Sequence, residues 1–312
     1  AVRGTVRSQA KAQEVRETLA AASVDTANLS LVEIDLNSDD GWNDAAAGCH
    51  FIMHVASPFT LANPKNPNEM ISPAVDGTLR VLHAAKKAGA KRIVLTSSTL
   101  AMQGHMKFGK FTPDSWTNLD APDISTYIKS KTLAEKAAWD FVNQQTDGSP
   151  MEMAAISPGG LFGPPLGQNI TGQTMSAFDQ ILRGKIPLVP KFAFPTVDVR
   201  DVAKLHVQAL TLPVASGKRI IVAGEEPNGM LDVMKILKTE GYKGPSTRIA
   251  PNFLLRLVAL FDREAKGMLV YLGMDVSCDN SETRKMFNWM PIPFKQSVLE
   301  TAVAVKSIQD KV

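Results

Sequence analysis

The sequence predicts an α/β fold, a doubly wound parallel sheet with helices on both faces, to which a smaller C-terminal lobe is added. Strand-like and helix-like segments alternate over the first two thirds of the chain, which is typical of βαβ units. Apolar runs such as residues 93–95 show no polar alternation, as expected for strands covered on both faces. The 312 residues are 44% hydrophobic and 21% charged, the composition of a globular protein with a sizeable core.

Each element is predicted from apolar periodicity and from the residues that end it. The first helix, for example, places Val15 and Leu19 four positions apart and therefore on one face. The predicted strands are residues 1–7, 29–36, 51–55, 92–96, 152–157, 196–199 and 219–223. The predicted helices are residues 9–22, 41–47, 70–88 and 125–143, the third of which is closed by Gly89.

The regular alternation weakens after residue 157. Residues 158–195 and 225–312 are richer in proline, glycine and irregular stretches than the rest of the chain. We therefore expect residues 1–157 and 196–224 to form the domain that holds the sheet. Residues 158–195 and 225–312 then form a second, smaller lobe that the chain enters twice.

Composition and charge exclude several classes of protein. The formal net charge is +3, from 34 basic and 31 acidic residues, and no basic block indicates a nucleic-acid partner. No apolar run reaches the length of a membrane span, so no membrane partner is expected. Cys49 and Cys278 are too few for a disulfide framework, which favours a reducing, cytoplasmic location. The histidines show no metal-ligand spacing, so no metal site is predicted.

The strongest candidate for chemistry is a tyrosine and a lysine on the predicted helix 125–143. Tyr127 and Lys131 are four positions apart and share one helix face. A phenol titrates near pH ~10, and a neighbouring ammonium favours the phenolate and lowers that pKa. Such a tyrosine can give a proton to a carbonyl oxygen while hydride reaches the carbon.

Ser98 follows the strand 92–96, at the carboxyl end where open α/β sheets bind ligands. Its hydroxyl could bond the same carbonyl oxygen and hold a substrate against Tyr127. Two structural alternatives stay open. Tyr127 and Lys131 could be ordinary residues of a surface helix, and Ser98 could be a turn or a helix cap.

In their order along the chain, these residues resemble the extended short-chain dehydrogenase/reductases. The nearest branch is that of dihydroflavonol reductases, cinnamoyl-CoA reductases and NADPH-dependent ketone and aldehyde (carbonyl) reductases. The matching segments are residues 2–7, 35–36, 54–59, 75–78, 96–98, 127–131, 157–164, 197–203 and 280–293. The resemblance implies a Rossmann-type dinucleotide-binding domain and a substrate-binding second lobe.

The resemblance also assigns roles to residues. It implies that Ser98, Tyr127 and Lys131 are catalytic, and that Lys131 also bonds the nicotinamide ribose. Its further cofactor-binding positions are Asp35 and Leu36 at the adenine, Ala56, Ser57 and Pro58 at the central ribose and phosphates, and Ser97 and Pro158 at the nicotinamide. Asp35 could instead be a strand-end turn residue, and Pro158 could lie in a plain loop. Substrate-lining positions are expected at Phe59, Met102, Phe162 and Leu166.

The end of the first predicted strand indicates which cofactor is used. A carboxylate at the corresponding position bonds the ribose 2′-hydroxyl of NAD, whereas arginine accommodates the 2′-phosphate of NADP. Here the chain has Arg7 and no carboxylate, with Arg3 and Lys11 as potential helpers. The alternative is a solvated basic face. We therefore expect NADP(H).

The sequence departs from this family at its beginning. The glycine-rich Gly-x-x-Gly-x-x-Gly turn that cradles the pyrophosphate at a helix N-terminus has no match. Ala1 already lies in what should be the second strand of the sheet. We therefore expect that a first strand and helix are absent from this sequence, that the true polypeptide is longer, and that a chain starting at Ala1 binds NADPH poorly.

The resulting hypothesis is an NADPH-dependent oxidoreductase that reversibly reduces a ketone or aldehyde, with Tyr127 as proton donor. Its expected partner is a small carbonyl or alcohol substrate, and the chain is expected to be a monomer or homodimer. Two alternatives stay open. One is a nucleotide-sugar epimerase or dehydratase of the same superfamily, and the other is a non-catalytic dinucleotide-binding protein.

Overall fold

The computed structural model describes residues 1–122, 124–146, 148 and 150–311. Its strands are β1 (Val2–Val6), β2 (Leu29–Glu33), β3 (Phe51–His54), β4 (Arg92–Thr96), β5 (Phe108–Phe111), β6 (Glu152–Pro158), β7 (Gly160–Phe162), β8 (Phe194–Asp198), β9 (Arg219–Val222), β10 (Pro227–Asn228) and β11 (Asp275–Cys278). Its helices are α1 (Gln9–Ala21), α2 (Trp42–Ala46), α3 (Asn68–Lys87), α4 (Leu100–Gln103), α5 (Thr126–Asn143), α6 (Gln173–Leu182), α7 (Val199–Thr211), α8 (Met230–Thr239), α9 (Asn252–Val258), α10 (Arg263–Met268), α11 (Ser281–Phe287) and α12 (Phe294–Gln309).

A four-stranded parallel sheet, in the order β3-β4-β6-β9, forms the centre of the molecule. Side chains of β4 alternate between its two faces, as the pleat requires. Ile93 and Leu95 pack in the core that includes Leu82 of α3 and Ala138 of α5. Val94 packs on the opposite side, in the core that contains residues of α7. Helices therefore cover both faces of a parallel sheet, and the predicted fold class is confirmed.

The first two strands form a separate parallel pair. In the described part of the chain, β1 is paired with β2 alone and β3 with β4 alone. The parallel strands thus form two sheets instead of one continuous sheet. On β3, Phe51 and Met53 keep 39% and 38% of their surface exposed, so this edge of the sheet is only partly covered.

Residues 158–195 and 225–312, which are predicted to form a second lobe, are rich in proline and glycine. They nevertheless contain α6 and α8–α12. The prolines and glycines lie just outside short helices instead of replacing them: Gly229 precedes α8, Pro251 precedes α9 and Pro293 precedes α12. Strand β8 pairs with β7 and β10, and β11 pairs with β5. Among the described helices, none is both long and apolar enough to cross a membrane.

Candidate active site

The site is built at the carboxyl end of β4, where the chain leaves the sheet. The Ser97 backbone N–H donates to Ile156 O at 2.7 Å, and the Thr99 N–H donates to Pro158 O at 3.0 Å. These two bonds tie the segment to the end of β6. Ser98 lies between them with 9% of its surface exposed, and its Oγ accepts from the Leu100 N–H at 3.2 Å. The serine is therefore fixed by the sheet and by the turn into α4.

Helix α5 supplies the other two predicted catalytic residues. Its first turn is capped by Ser125, whose Oγ accepts from the Ile128 N–H at 3.2 Å. Tyr127 lies in this first turn and shares a hydrogen bond with the Ser98 hydroxyl. Lys131 follows one turn later and donates from Nζ to Thr96 O at 3.0 Å. The structure thus brings Ser98, Tyr127 and Lys131 together.

Burial controls the protonation of this set. Burial raises the pKa of Tyr127, the neighbouring Tyr271 phenol raises it further, and the hydrogen bond with Ser98 lowers it. Tyr127 is therefore a protonated donor at neutral pH. The sequence predicted that Lys131 lowers this pKa, but Lys131 donates its hydrogen bond to Thr96 O and burial is the larger effect. Burial also lowers the pKa of Lys131 to about 8, a shift that the Glu135 carboxylate opposes.

A cleft opens beside Lys131 along the ends of β3 and β4. Its walls carry His54, Ala56, Ser57, Thr78, Leu95, Thr96, Ser97, Lys131, Ala134 and Glu135. Thr78 Oγ1 donates to Ala74 O at 2.7 Å, so it accepts from His54 Nε2 at 3.1 Å. Burial, with a smaller contribution from Lys131, lowers the pKa of His54 to about 4. His54 is therefore neutral at neutral pH and adds no charge beside Lys131.

The cleft suits the nicotinamide ribose of a dinucleotide. Ser57, Ser97 and Lys131, all predicted to bind cofactor, line it with hydroxyl and ammonium groups. Lys131 Nζ carries three donors, of which Thr96 O takes one, so donors remain for ribose hydroxyls. Ala56, whose side chain is a single methyl group, lies in the same wall and leaves room for the ribose. The described residues on this side of the cleft therefore fit the group that the family resemblance implies.

The residues predicted at the adenine end meet where β1 and β2 end. Asp35 Oδ1 accepts from the Asn37 N–H at 2.8 Å and from Asn37 Nδ2 at 2.9 Å. These bonds, with a smaller contribution from nearby Arg7, lower the pKa of Asp35. Arg7 is exposed and makes no side-chain hydrogen bond within the described chain. Arg3, predicted as its helper, donates from Nη1 to three carbonyl oxygens at the end of α2.

The other predicted cofactor positions lie against neighbouring elements. Leu36 packs on α3, where a Cβ at Gly77 would come within 2.9 Å of its Cδ2. Pro58 is half-buried beside Ser57. Pro158 is buried at the end of β6, and its carbonyl oxygen is the one that accepts from the Thr99 N–H.

The four residues predicted to line the substrate pocket do not lie together. Phe59 meets the Tyr127 ring edge-on, with ring centres 4.7 Å apart, and is 50% exposed. Met102 is fully buried in a core cluster. Phe162 packs against the rings of Phe178 and Phe294, and Leu166 is 63% exposed. Phe59 therefore contacts Tyr127.

Two residues beside the predicted set were missed by sequence reasoning. Glu135 is 1% exposed and accepts a hydrogen bond from the Ser97 hydroxyl. Its spacing of four from Lys131 and eight from Tyr127 is a local signal that could have identified it. Tyr271 is 8% exposed, bonds Ser125, and has its pKa raised by burial to about 12. No local pattern connects Tyr271 with residues so far away in the sequence.

The sequence of this chain is similar to a known family and to known reductases. Residues 2–224 match the profile of the NAD dependent epimerase/dehydratase family. The NADPH-dependent methylglyoxal reductase GRE2 of Saccharomyces cerevisiae is 29% identical over 259 residues, which cover 76% of this chain and 74% of the relative. Cinnamoyl-CoA reductase CAD2 of Medicago truncatula is 36% identical over 220 residues, which cover 67% of this chain and 64% of the relative.

Solved structures agree with these relatives. The crystal structure of yeast methylglyoxal/isovaleraldehyde reductase Gre2 with NADPH gives a TM-score of 0.78 at 25% identity, covering 100% of this chain and 92% of that one. Gre2 of Candida albicans with NADPH gives 0.77 at 26% identity, covering 98% and 91%. The predicted resemblance to the extended dehydrogenase/reductases is thereby confirmed. The chain belongs to the NAD dependent epimerase/dehydratase family.

Proposed function

We propose that this chain reversibly reduces a ketone or an aldehyde to an alcohol, using NADPH. The observation that carries the proposal is the meeting of Ser98, Tyr127 and Lys131 at the carboxyl end of β4, with a protonated Tyr127 hydrogen-bonded to Ser98. Relatives named as NADPH-dependent reductases, two of them solved with NADPH, support the prediction of an NADP-dependent oxidoreductase.

The chain's own residues perform the proton chemistry. When bound, NADPH supplies the hydride that reduces the carbonyl carbon. Ser98 holds the carbonyl oxygen, and Tyr127 Oη gives it a proton as negative charge develops there. Because the phenolate left behind is buried, its charge is unfavourable, and the hydrogen bond with Ser98 stabilises it. Reprotonation of Tyr127 Oη resets the site.

The cofactor contacts extend the same proposal along the cleft. Lys131, Ser57 and Ser97 hold the nicotinamide ribose, and Pro158 faces the nicotinamide amide. Asp35 holds the adenine, with Leu36 beside it against α3. Ala56 and Pro58 line the central ribose and phosphates. Arg7, which is exposed and near the Asp35 carboxylate, bonds the 2′-phosphate.

Several broader predictions complete this proposal. Residues 1–157 and 196–224 bind the dinucleotide, and residues 158–195 and 225–312 form the substrate lobe. The substrate is a small carbonyl or alcohol compound, and it enters beside Phe59. The chain acts in the cytoplasm as a monomer or homodimer.

The family description itself favours a second candidate, a nucleotide-sugar epimerase or dehydratase. Such enzymes use the same three residues but keep their cofactor tightly bound. Heat-denatured protein that releases stoichiometric NAD would support this candidate. Protein that arrives without cofactor and consumes added NADPH with a carbonyl compound would support the reductase.

Tyr127→Phe is the direct test of the reductase proposal. The variant keeps the ring that packs on Phe59 but removes the proton, so we expect kcat to fall by about 10²–10⁴-fold while NADPH affinity is unchanged. NADPH consumption with a panel of aldehydes and ketones measures kcat, and fluorescence titration measures the affinity. Tyr242→Phe, at a half-buried tyrosine packed against another hydrophobic cluster, is the matched control. Wild-type rates in Tyr127→Phe would refute the assignment.

A further inference from the structure

Glu135 is a buried carboxylate on the same face of α5 as the proposed catalytic residues. It follows Lys131 by one turn and Tyr127 by two, and 1% of its surface is exposed. It also lines the cleft beside Ser97. Because an unpaired carboxylate in a protein interior is highly unfavourable, this position requires partners.

Three different elements supply those partners. Ser97, at the end of β4, donates its hydroxyl proton to Oε2, and Trp139 Nε1 donates to Oε1 at 3.1 Å. Arg219, the first residue of β9, donates from Nε to Oε1 at 2.6 Å and from Nη2 to Oε2 at 3.4 Å. Both carboxylate oxygens are therefore occupied, and their position is fixed between α5, β4 and β9.

Arg219 is itself immobilised, which makes it a firm anchor. Its Nη1 donates to Pro113 O at 2.7 Å and to Ser115 O at 2.6 Å. The centre of its guanidinium lies 3.6 Å from the ring centre of Trp116, in cation–π contact. The Glu135–Arg219 pair thus cannot shift without breaking bonds to the loop that precedes α5.

Stability alone does not account for this pair. Replacing a buried ion pair by well-packed apolar residues is often neutral or stabilising, because two charges no longer need to be desolvated. What Glu135 supplies, and an apolar residue could not, is an acceptor for the Ser97 hydroxyl and a negative charge toward Lys131. Burial lowers the pKa of Lys131 to about 8, and the Glu135 carboxylate opposes that shift.

We propose, on the basis of the reductase function argued above, that Glu135 is a positioning residue of the active site. Anchored by Arg219, its carboxylate holds the Ser97 hydroxyl in the wall of the cofactor cleft and presents a negative charge to Lys131. It acts through these two side chains and takes no part in proton transfer.

Glu135→Gln tests the charge while keeping the shape. The donors around Glu135 bond to its two carboxylate oxygens, whereas the amide of glutamine offers one acceptor oxygen. The Ser97 hydroxyl is therefore no longer held firmly. We expect NADPH binding to weaken about tenfold, the effect of losing one hydrogen bond to a charged group. Of the titratable groups at Lys131, His54 is neutral, and the variant removes the Glu135 charge that favours the Lys131 ammonium. Lys131 should then lose its proton at a lower pH, so the pH at which NADPH binding weakens should also move lower.

The experiment is a fluorescence titration of NADPH at several pH values, with thermal unfolding of each variant measured without cofactor. Glu152→Gln is the matched control, because Glu152 Oε2 also accepts from a buried arginine, Arg92 Nε at 2.7 Å, at the opposite end of β4. Ser97→Ala removes the hydrogen bond between Ser97 and Glu135 by deleting its donor, the Ser97 hydroxyl. If Glu135 acts through Ser97, the double variant loses less affinity than the sum of the two single losses.

Glu135→Gln that matches Glu152→Gln in affinity and in pH profile would overturn the proposal, as would losses that add fully in the double variant. Should Glu135→Gln fail to fold, Glu135→Asp, which withdraws the carboxylate from Ser97 by one methylene, takes its place: weaker NADPH binding supports the proposal, and unchanged binding overturns it. Binding needs no turnover. A wild-type protein that reduces no carbonyl compound would therefore refute the reductase function separately from the role of Glu135.

Discussion

Replacing Gly159 by alanine should damage both stability and catalysis, because no room exists for a side chain there. A Cβ at this position would lie 2.3 Å from Pro195 O and 3.0 Å from Ala223 Cβ. Ordinary C···O contacts begin near ~3.3 Å, so the two chains must separate by about 1 Å. Hydrogen bonds resist this movement: Gly159 N–H donates to Val222 O at 3.2 Å, and Gly224 N–H to Thr196 O at 2.8 Å.

The expected size of the effect follows from that displacement. Overpacking of this kind destabilises a protein by about 1–3 kcal/mol, which corresponds to a fall in Tm of about 2–5 °C for a chain of 312 residues. Gly159 also follows Pro158, whose carbonyl oxygen holds the Thr99 N–H next to Ser98. A shift of about 1 Å in a catalytic group can lower the rate about 100-fold, so kcat/KM should fall by up to that factor.

Thermal unfolding without cofactor and steady-state kinetics measure the two effects. Gly172→Ala is the control, because a Cβ there meets no atom within 4 Å and the backbone φ is −64°. A Gly159→Ala protein whose Tm lies within about 1 °C of that control, with the same kcat/KM, would refute the packing argument.

Two further predictions concern NADPH binding. Arg7→Glu should weaken NADPH binding about 10–100-fold and leave NADH binding nearly unchanged, since only NADPH carries the 2′-phosphate. Parallel titrations with both cofactors measure this, and equal losses would argue against a phosphate contact. NADPH affinity should be constant near neutral pH and fall as pH rises past about 8, where Lys131 loses its proton. Titrations across this pH range measure the fall in affinity, and Lys131→Met should abolish it. If the fall is unchanged in that variant, another group is responsible for it.

Local pattern was sufficient wherever the physics is local. Strand β4 begins at Arg92 and ends at Thr96, as predicted, because a short apolar run bounded by polar residues is typical of a buried strand. Tyr127 and Lys131 share a helix face because four residues make about one turn. The same reasoning predicted no helices in residues 225–312, where glycine and proline mark helix boundaries: Gly229 precedes α8 and Pro293 precedes α12.

The sequence by itself determined the alternation of strands and helices, the positions of Ser98, Tyr127 and Lys131, and the family. Only the tertiary structure decided that the pKa of Tyr127 is raised, since burial depends on what packs around it, and that Phe59 and Tyr271 lie beside it. The Glu135–Arg219 pair joins residues 84 positions apart, and no periodicity encodes such a contact. Helix faces follow from chain geometry, whereas burial and long-range pairing exist only after the elements have packed.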